Sequence, residues 1–141
     1  MPITEIIPNA LWQSDADANI FAKLLDRGLT PAMVIDLQEF PAPAVPLDGS
    51  VLYVHWPIDD GPVPDERLLA AVEQAACAYI EKGGRVVTMC AQGRNRSGLV
   101  SALIAARILG LTGENAIRHV RDRVPEAISN ADFAAWLDAL R

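Results

Sequence analysis

The chain has 141 residues, 51% of them hydrophobic and 21% charged, which fits a single globular domain over residues 1–141 and excludes a disordered chain. Its formal net charge of −6 at pH 7 argues against nucleic acid as a partner, and its two cysteines are too few for a disulfide scaffold. Because no apolar run is long enough for a membrane span and no secretion signal is evident, we expect a cytoplasmic protein that does not bind membranes.

Helices and strands are predicted to alternate along the chain. The expected elements, in chain order, are a helix at 15–27, strands at 32–38 and 51–58, a helix at 65–82, a strand at 85–90, and helices at 97–109, 113–123 and 130–140. The strands are short runs rich in β-branched and aromatic residues, whereas the helices place their apolar residues on one face. This alternation predicts an α/β fold: a central, mostly parallel sheet of about four or five strands with helices on both faces. In such sheets ligands bind beyond the carboxyl ends of the strands.

The segment "CAQGRNRSG" (90–98) lies at such a strand end and has the composition of an anion-binding loop. The first N–H groups of a helix lack carbonyl partners, and the helix dipole adds partial positive charge there. Gly93 lets the backbone curl so that several N–H groups can point inward, and Arg96 adds a planar fork suited to two phosphoryl oxygens. Cys90 is expected at the bottom of the loop, where the field favours a thiolate that can attack the phosphorus of a bound phosphate.

The spacing of Cys90, Arg96 and Ser97 resembles the Cys-x5-Arg-[Ser/Thr] signature of the cysteine-dependent protein tyrosine phosphatase superfamily. The stretches "LWQSD" (11–15) and "NADFAAWL" (130–137) are similar to the opening strand and the closing helix of that family. The resemblance implies a phosphotyrosine protein phosphatase-like fold. It also implies that Cys90 is the nucleophile, that Arg96 binds phosphate and stabilises the transition state, and that the Ser97 hydroxyl helps the thiolate to leave. The residues expected to bind the substrate phosphate are Ala91, Gln92, Gly93, Arg94, Asn95 and Arg96.

A candidate general acid lies upstream, in "HWPIDDGPVPDE" (55–66). Transfer of a phosphoryl group from an alcohol or phenol needs a proton for the leaving oxygen, which a carboxylic acid can supply. The stretch resembles the acid loop of small dual-specificity phosphatases, in which an aspartate directly before a glycine lies upstream of the nucleophile. This resemblance favours Asp60 over Asp59 as the acid. Asp59 and Asp65 are expected to serve as turn formers and helix caps.

Two residues of this region need separate interpretation. Met89 stands where the family has a histidine that belongs to the hydrogen-bond scaffold of the loop, and its presence predicts slower chemistry. Arg94 can point to solvent or toward additional phosphates. The run from Gly93 to Gly98 is similar to the loop of RNA triphosphatases of the same superfamily, so a multiply phosphorylated substrate stays open.

Other reactive residues are expected to have structural roles. Cys77 is expected to be a small buried hydrophobic residue or, alternatively, a thiol that forms a reversible disulfide with oxidised Cys90. His55 and His119 belong to no metal-ligand cluster in the sequence, and neither a metal nor a cofactor is expected. The solvated face of the helix at 113–123 is expected to carry Arg118, Arg121 and Arg123.

The sequence therefore predicts an enzyme, a cysteine-dependent phosphatase that acts through a phosphocysteine intermediate. Its expected substrates are proteins phosphorylated on tyrosine, serine or threonine, and it is expected to be a monomer. The alternatives are a phosphatase of inositol phosphates or other polyphosphorylated small molecules, a catalytically weak phosphate-binding pseudophosphatase, and a rhodanese-like sulfurtransferase. If the motif has no function, Cys90 is a buried structural cysteine and Arg96 is a surface arginine six residues after it.

Overall fold

The computed structural model describes residues 2–140, and each of the expected helices and strands is present. The elements, in chain order, are β1 (Thr4–Ile7), β2 (Leu11–Asp15), α1 (Ile20–Asp26), β3 (Ala32–Asp36), β4 (Val51–His55), α2 (Glu66–Glu81), β5 (Val86–Cys90), α3 (Arg96–Leu109), α4 (Gly113–Arg123) and α5 (Ala131–Asp138). β1 was not expected, because four residues at the edge of a sheet give too short a pattern to recognise.

The strands form one sheet in the order β1-β2-β5-β3-β4. β1 runs antiparallel to β2, whereas the pairs β2–β5, β5–β3 and β3–β4 are parallel, which confirms a mostly parallel sheet. β5 lies in the middle, and all of its residues are buried, as the near-continuous apolar run "VVTMC" predicts for a strand covered on both faces. The carboxyl end of β5 is therefore fixed by a neighbouring strand on each side.

Helices cover both faces of the sheet, as predicted. On one face α1 packs over an apolar cluster formed by Ile3, Trp12, Ile20, Phe21, Leu24, Leu29, Val34, Ala42, Val87 and Met89. The other face carries α2, α3, α4 and α5, and every residue of α3 from Ser97 to Ala105 is buried. None of the helices within residues 2–140 is by itself long and apolar enough to cross a membrane, although α3 and α4, bent by 116°, pass that test as a pair.

Two element boundaries differ from the prediction by more than two residues. α1 begins at Ile20 because β2 continues to Asp15, and Asp17 then makes a turn in which its carboxylate accepts a backbone hydrogen bond of 2.8 Å. β4 ends at His55, short of Pro57, because proline lacks the N–H group that continues a ladder. The segment that follows β4 is consequently a loop (56–65).

Candidate active site

Cys90 ends β5, and a short loop (90–96) leads from it into α3. Cys90 is 2% exposed, and its Sγ accepts a hydrogen bond from the backbone N–H of Ser97 at 3.4 Å. Cys90 lines a cavity of about 140 Å³. The cavity is lined by Asp60, Cys90, Ala91, Gln92, Arg94, Asn95 and Arg96. The structure thus gathers the expected nucleophile, arginine and acid around one small, polar opening.

Gln13 of β2, which the sequence interpretation missed, holds the 90–96 loop from beneath. Gly93 adopts φ +68°, in the left-handed region where glycine is favoured, and its carbonyl accepts a 2.7 Å hydrogen bond from Gln13 Nε2. A carbonyl turned toward the sheet in this way does not oppose an anion in the cavity. Gln13 is completely buried, and a buried polar side chain needs a hydrogen-bond partner. The sequence signal for this role is a glutamine inside the strand-like stretch "LWQSD".

Arg96 and Ser97 place different groups beside Cys90. Arg96 Nη1 donates to the carbonyl of Ile58 at 3.4 Å, so the guanidinium joins the cavity to the start of the 56–65 loop. Ser97 is fully buried, and its Oγ has no hydrogen-bond partner among residues 2–140. A buried hydroxyl without a partner is costly, which fits a group whose partner is present only during a reaction.

Asp60 is exposed, but hydrogen bonds hold both oxygens of its carboxylate. Oδ2 accepts from Asn95 Nδ2 at 3.0 Å, and Oδ1 accepts from Asn130 Nδ2 at 2.9 Å. Asp59 is also exposed, and it is not among the described residues that line the cavity. The prediction that Asp65 caps a helix is confirmed, since its side chain accepts the first free N–H groups of α2.

The connection between α4 and α5 (124–130) packs against the outer side of the 90–96 loop. Arg94 forms an ion pair with Glu126 at 2.7 Å and accepts, through its carbonyl, the N–H of Ile128 at 3.3 Å. Arg121 was expected on a solvated face, but its guanidinium instead donates to two carbonyl oxygens of this connection, at 2.7 and 3.1 Å. The 90–96 loop is therefore supported from two sides, by Gln13 and by the 124–130 connection.

Asp36, at the end of β3, is a buried carboxylate that the sequence interpretation did not single out. It accepts hydrogen bonds from the hydroxyl of Tyr53 at 2.5 Å and from the N–H of Ala42 at 3.1 Å, and the side chain and N–H of Gln38 also donate to it. Burial, together with the hydrogen bond to Asp36, raises the pKa of Tyr53 to about 12. This network fixes the loop after β3, on the face of the sheet that α1 covers.

The remaining expectations concern cysteine and histidine. Cys77 is 1% exposed, as predicted, and burial, reinforced by the Glu73 carboxylate, raises its pKa to about 11. Both cysteines are unpaired, and the alternative of a reversible disulfide between Cys77 and oxidised Cys90 stays a prediction. His119 contacts a backbone carbonyl at 2.8 Å, as does His55, so both imidazoles are structural.

Comparisons with known proteins agree with this architecture. No family model matches the chain. Human dual specificity phosphatase 28 is 28% identical over 139 residues, which cover 96% of this chain and 76% of that protein. The crystal structure of human DUSP28 superimposes with a TM-score of 0.75 at 27% identity, covering 97% of this chain and 90% of the other.

Two further solved structures extend the comparison. A mouse putative dual specificity phosphatase, complexed with zinc tungstate, is 26% identical with a TM-score of 0.77 and covers 96% of this chain and 84% of its own. PTPMT1 in complex with PI(5)P has a TM-score of 0.79, covering 97% of this chain and 93% of its own. At 17% identity, PTPMT1 shares the fold alone.

Proposed function

The chain is a small, dual-specificity-like member of the cysteine-dependent protein tyrosine phosphatase superfamily, and we propose that it dephosphorylates proteins through a phosphocysteine at Cys90. The observation that carries the proposal is the shared 140 Å³ cavity, where Cys90, Arg96 and Asp60 meet. A nucleophile, an anion-binding fork and an acid around one cavity are the parts that transfer of a phosphoryl group requires.

In the first step, the Cys90 thiolate attacks the phosphorus of the bound ester. The S–P bond forms, the P–O bond to the substrate breaks, and the carboxyl proton of Asp60 passes to the leaving oxygen, which departs as an alcohol or phenol. The N–H groups of the 90–96 loop and the Arg96 guanidinium bind the other three phosphoryl oxygens, where charge accumulates in the transition state.

In the second step, water attacks the phosphocysteine. The Asp60 carboxylate takes a proton from the water, the S–P bond breaks, and inorganic phosphate leaves with the oxygen of that water. The electron pair of the S–P bond returns to Cys90, whose sulfur keeps the Ser97 N–H and gains the Ser97 hydroxyl as a donor. This role accounts for a buried hydroxyl that lacks a partner within the described residues 2–140.

The surroundings of Arg94 favour a protein substrate over a polyphosphorylated small molecule. A second phosphate beside the cavity would have to displace the Glu126 carboxylate, which pairs with Arg94 at 2.7 Å. Asp60, Ala91 and Gln92 are exposed, so the cavity opens at the surface, where a phosphorylated side chain on another protein can reach it.

Steady-state kinetics of the wild type, Cys90→Ser and Asp60→Asn test the mechanism. Cys90→Ser is expected to abolish turnover of an aryl phosphate, and Cys77→Ala, at the buried cysteine away from the cavity, is the matched control that retains it. Asp60→Asn is expected to lower kcat for poor leaving groups by about 10²- to 10⁴-fold, the usual contribution of a general acid. Equal turnover by the wild type and Cys90→Ser would refute the mechanism.

A substrate panel then tests the assignment to proteins. Phosphotyrosine and phosphoserine peptides are expected to be turned over with a higher kcat/KM than inositol hexakisphosphate. Tungstate, the tetrahedral anion in the complex of the mouse relative, is expected to compete with all of them. A preference for inositol hexakisphosphate that disappears in Arg94→Ala would replace the protein substrate by the polyphosphorylated one.

A further inference from the structure

Asp60 belongs to a loop without regular structure, yet its carboxylate is held at two points by side chains from distant parts of the chain. Asn95 belongs to the 90–96 loop. Asn130 is the residue before α5 and lies 70 positions after Asp60 in the sequence. Asn130 Nδ2 also donates to the carbonyl of Gly61 at 2.9 Å, so one amide group binds both the acid and the backbone beside it.

The remaining hydrogen bonds of the two amides fix which end of each faces Asp60. Asn95 Oδ1 accepts from the hydroxyl of Ser129 at 3.1 Å and from the backbone N–H of Asn130 at 2.9 Å, so its NH₂ group must face the carboxylate. Asn130 Oδ1 accepts from the N–H of Phe133 at 3.1 Å and thereby caps α5, which leaves its NH₂ group for Asp60.

The segment that delivers Asn130 is itself held in a strained conformation. Ile128 adopts φ +58°, which is unfavourable for a β-branched residue and persists only where surrounding contacts impose it. Those contacts are the bond from Ile128 N–H to the Arg94 carbonyl and the two bonds from the Arg121 guanidinium. The strain therefore occurs where the 124–130 connection joins the 90–96 loop to the 56–65 loop.

We propose that Asn130 is a positioning residue, which acts with Asn95 to hold the Asp60 carboxylate at the mouth of the Cys90 cavity. An exposed aspartate can adopt several rotamers, and only a carboxyl group directed at the leaving oxygen can protonate it. Two amide donors, one on each carboxylate oxygen, select one orientation. This inference rests on the proposed phosphatase mechanism and adds to it the residue that directs the acid.

Asn130→Ser separates this role from helix capping, because serine still accepts the N–H of Phe133 but cannot reach Asp60. The substrates are two aryl phosphates: phenyl phosphate, whose leaving group needs a proton, and 6,8-difluoro-4-methylumbelliferyl phosphate, whose leaving group does not. Asn130→Ser is expected to lower kcat for phenyl phosphate about 10- to 100-fold and for the activated ester less than about threefold. Asn19→Ser, at the start of α1 on the opposite face of the sheet, is the matched control with unchanged kinetics.

A double variant distinguishes positioning from a general structural effect. If Asn130 acts only through Asp60, then Asp60→Asn combined with Asn130→Ser is no slower than Asp60→Asn alone. Ser129→Ala, which removes one donor to Asn95, is expected to give a smaller loss confined to phenyl phosphate. Equal losses on both esters, or additive losses in the double variant, would overturn the positioning role while leaving the phosphatase mechanism intact. A wild type that turns over neither ester refutes the mechanism, and the positioning role with it.

Discussion

Replacing Gln13 by methionine is expected to weaken anion binding in the cavity while leaving the folded state almost as stable as before. Methionine has the length of glutamine and no branch, so it can occupy the same space between β2 and the 90–96 loop. What it removes is the 2.7 Å hydrogen bond to the carbonyl of Gly93. This change therefore tests whether a buried side chain of the sheet determines the shape of the loop.

The magnitudes follow from the two polar atoms of the amide. Losing Nε2 leaves the Gly93 carbonyl without this donor, at a cost of about 1–3 kcal/mol, but losing Oε1 removes an acceptor that has no partner among residues 2–140 and returns a similar amount. The free energy of unfolding is thus expected to change by less than about 1.5 kcal/mol. The loop itself loses a net contribution of about 0.5–1.5 kcal/mol, which corresponds to tungstate affinity weaker by about 2- to 10-fold.

Gln13→Glu is the matched variant, because it keeps the shape but replaces the amide donor by a carboxyl group, whose ionised form would turn a negatively charged oxygen toward the Gly93 carbonyl. An unpaired buried charge costs about 3–5 kcal/mol. Burial raises the pKa of the introduced carboxyl above its unfolded value of about 4.3, so the native state retains a proton that the unfolded chain has released. Its stability relative to the wild type should therefore fall as pH rises, by up to about 1.4 kcal/mol per pH unit.

Urea unfolding between pH 5.5 and 7.5, followed by tryptophan fluorescence, measures the stabilities, and tungstate titration measures the loop. A constant m-value is required for the comparison, since a changed m-value would indicate a different unfolded or native state. The reasoning is refuted if Gln13→Met binds tungstate as tightly as the wild type. It is also refuted if Gln13→Met loses as much stability as Gln13→Glu at pH 7.5.

Three further predictions concern packing and ionisation elsewhere in the molecule. Tyr53→Phe removes a donor from the buried Asp36 and is expected to cost about 1–3 kcal/mol in urea unfolding. Because the pKa of Tyr53 is raised to about 12, wild-type stability should also decline as pH rises from about 10 to 12, and the decline should be smaller in Tyr53→Phe, in which Cys77, with its pKa raised to about 11, still contributes. Gly113→Ala would place a Cβ atom 1.7 Å from the carbonyl oxygen of Leu137, so it should lower stability by about 3 kcal/mol, visible as a lower Tm. Iodoacetamide at pH 7.5 is expected to modify Cys90 in the folded protein and Cys77 only after unfolding, since burial raises the pKa of Cys77 to about 11; mass spectrometry of the labelled peptides would contradict this if Cys77 reacted first.

The parts of the molecule that could be predicted are those whose cause is local in the sequence. One continuous stretch of sequence contains β5, the 90–96 loop with Gly93, and α3. Its composition and periodicity are therefore visible in the sequence. The alternation of strand-like and helix-like stretches along the chain predicts the parallel sheet and the helices on its two faces. The sequence predicts the start of α1 too early, because Asp17 forms the turn that precedes the helix.

The parts that could not be predicted are contacts between distant segments. Gln13 and Gly93 are 80 residues apart, and Asp60 and Asn130 are 70 residues apart, so neither pair leaves a spacing that a single sequence can reveal. Each of these polar residues has an ordinary local interpretation, as a strand residue or a helix cap. Their second role appears only after the chain has folded.

The alternation of side chains along β5 places Met89 and Cys90 on opposite faces of the sheet. Successive side chains of a strand point to opposite faces, and Met89 packs in the α1-side cluster with Trp12 and Val87. Cys90 belongs to the core cluster on the opposite face of the sheet, the side on which α3 packs. The slower chemistry predicted from Met89 assumed that the support of the loop comes from that position, but here the Gly93 carbonyl is bound by Gln13 of β2. Residue 13 is consequently the position at which we expect substitution to change the loop most.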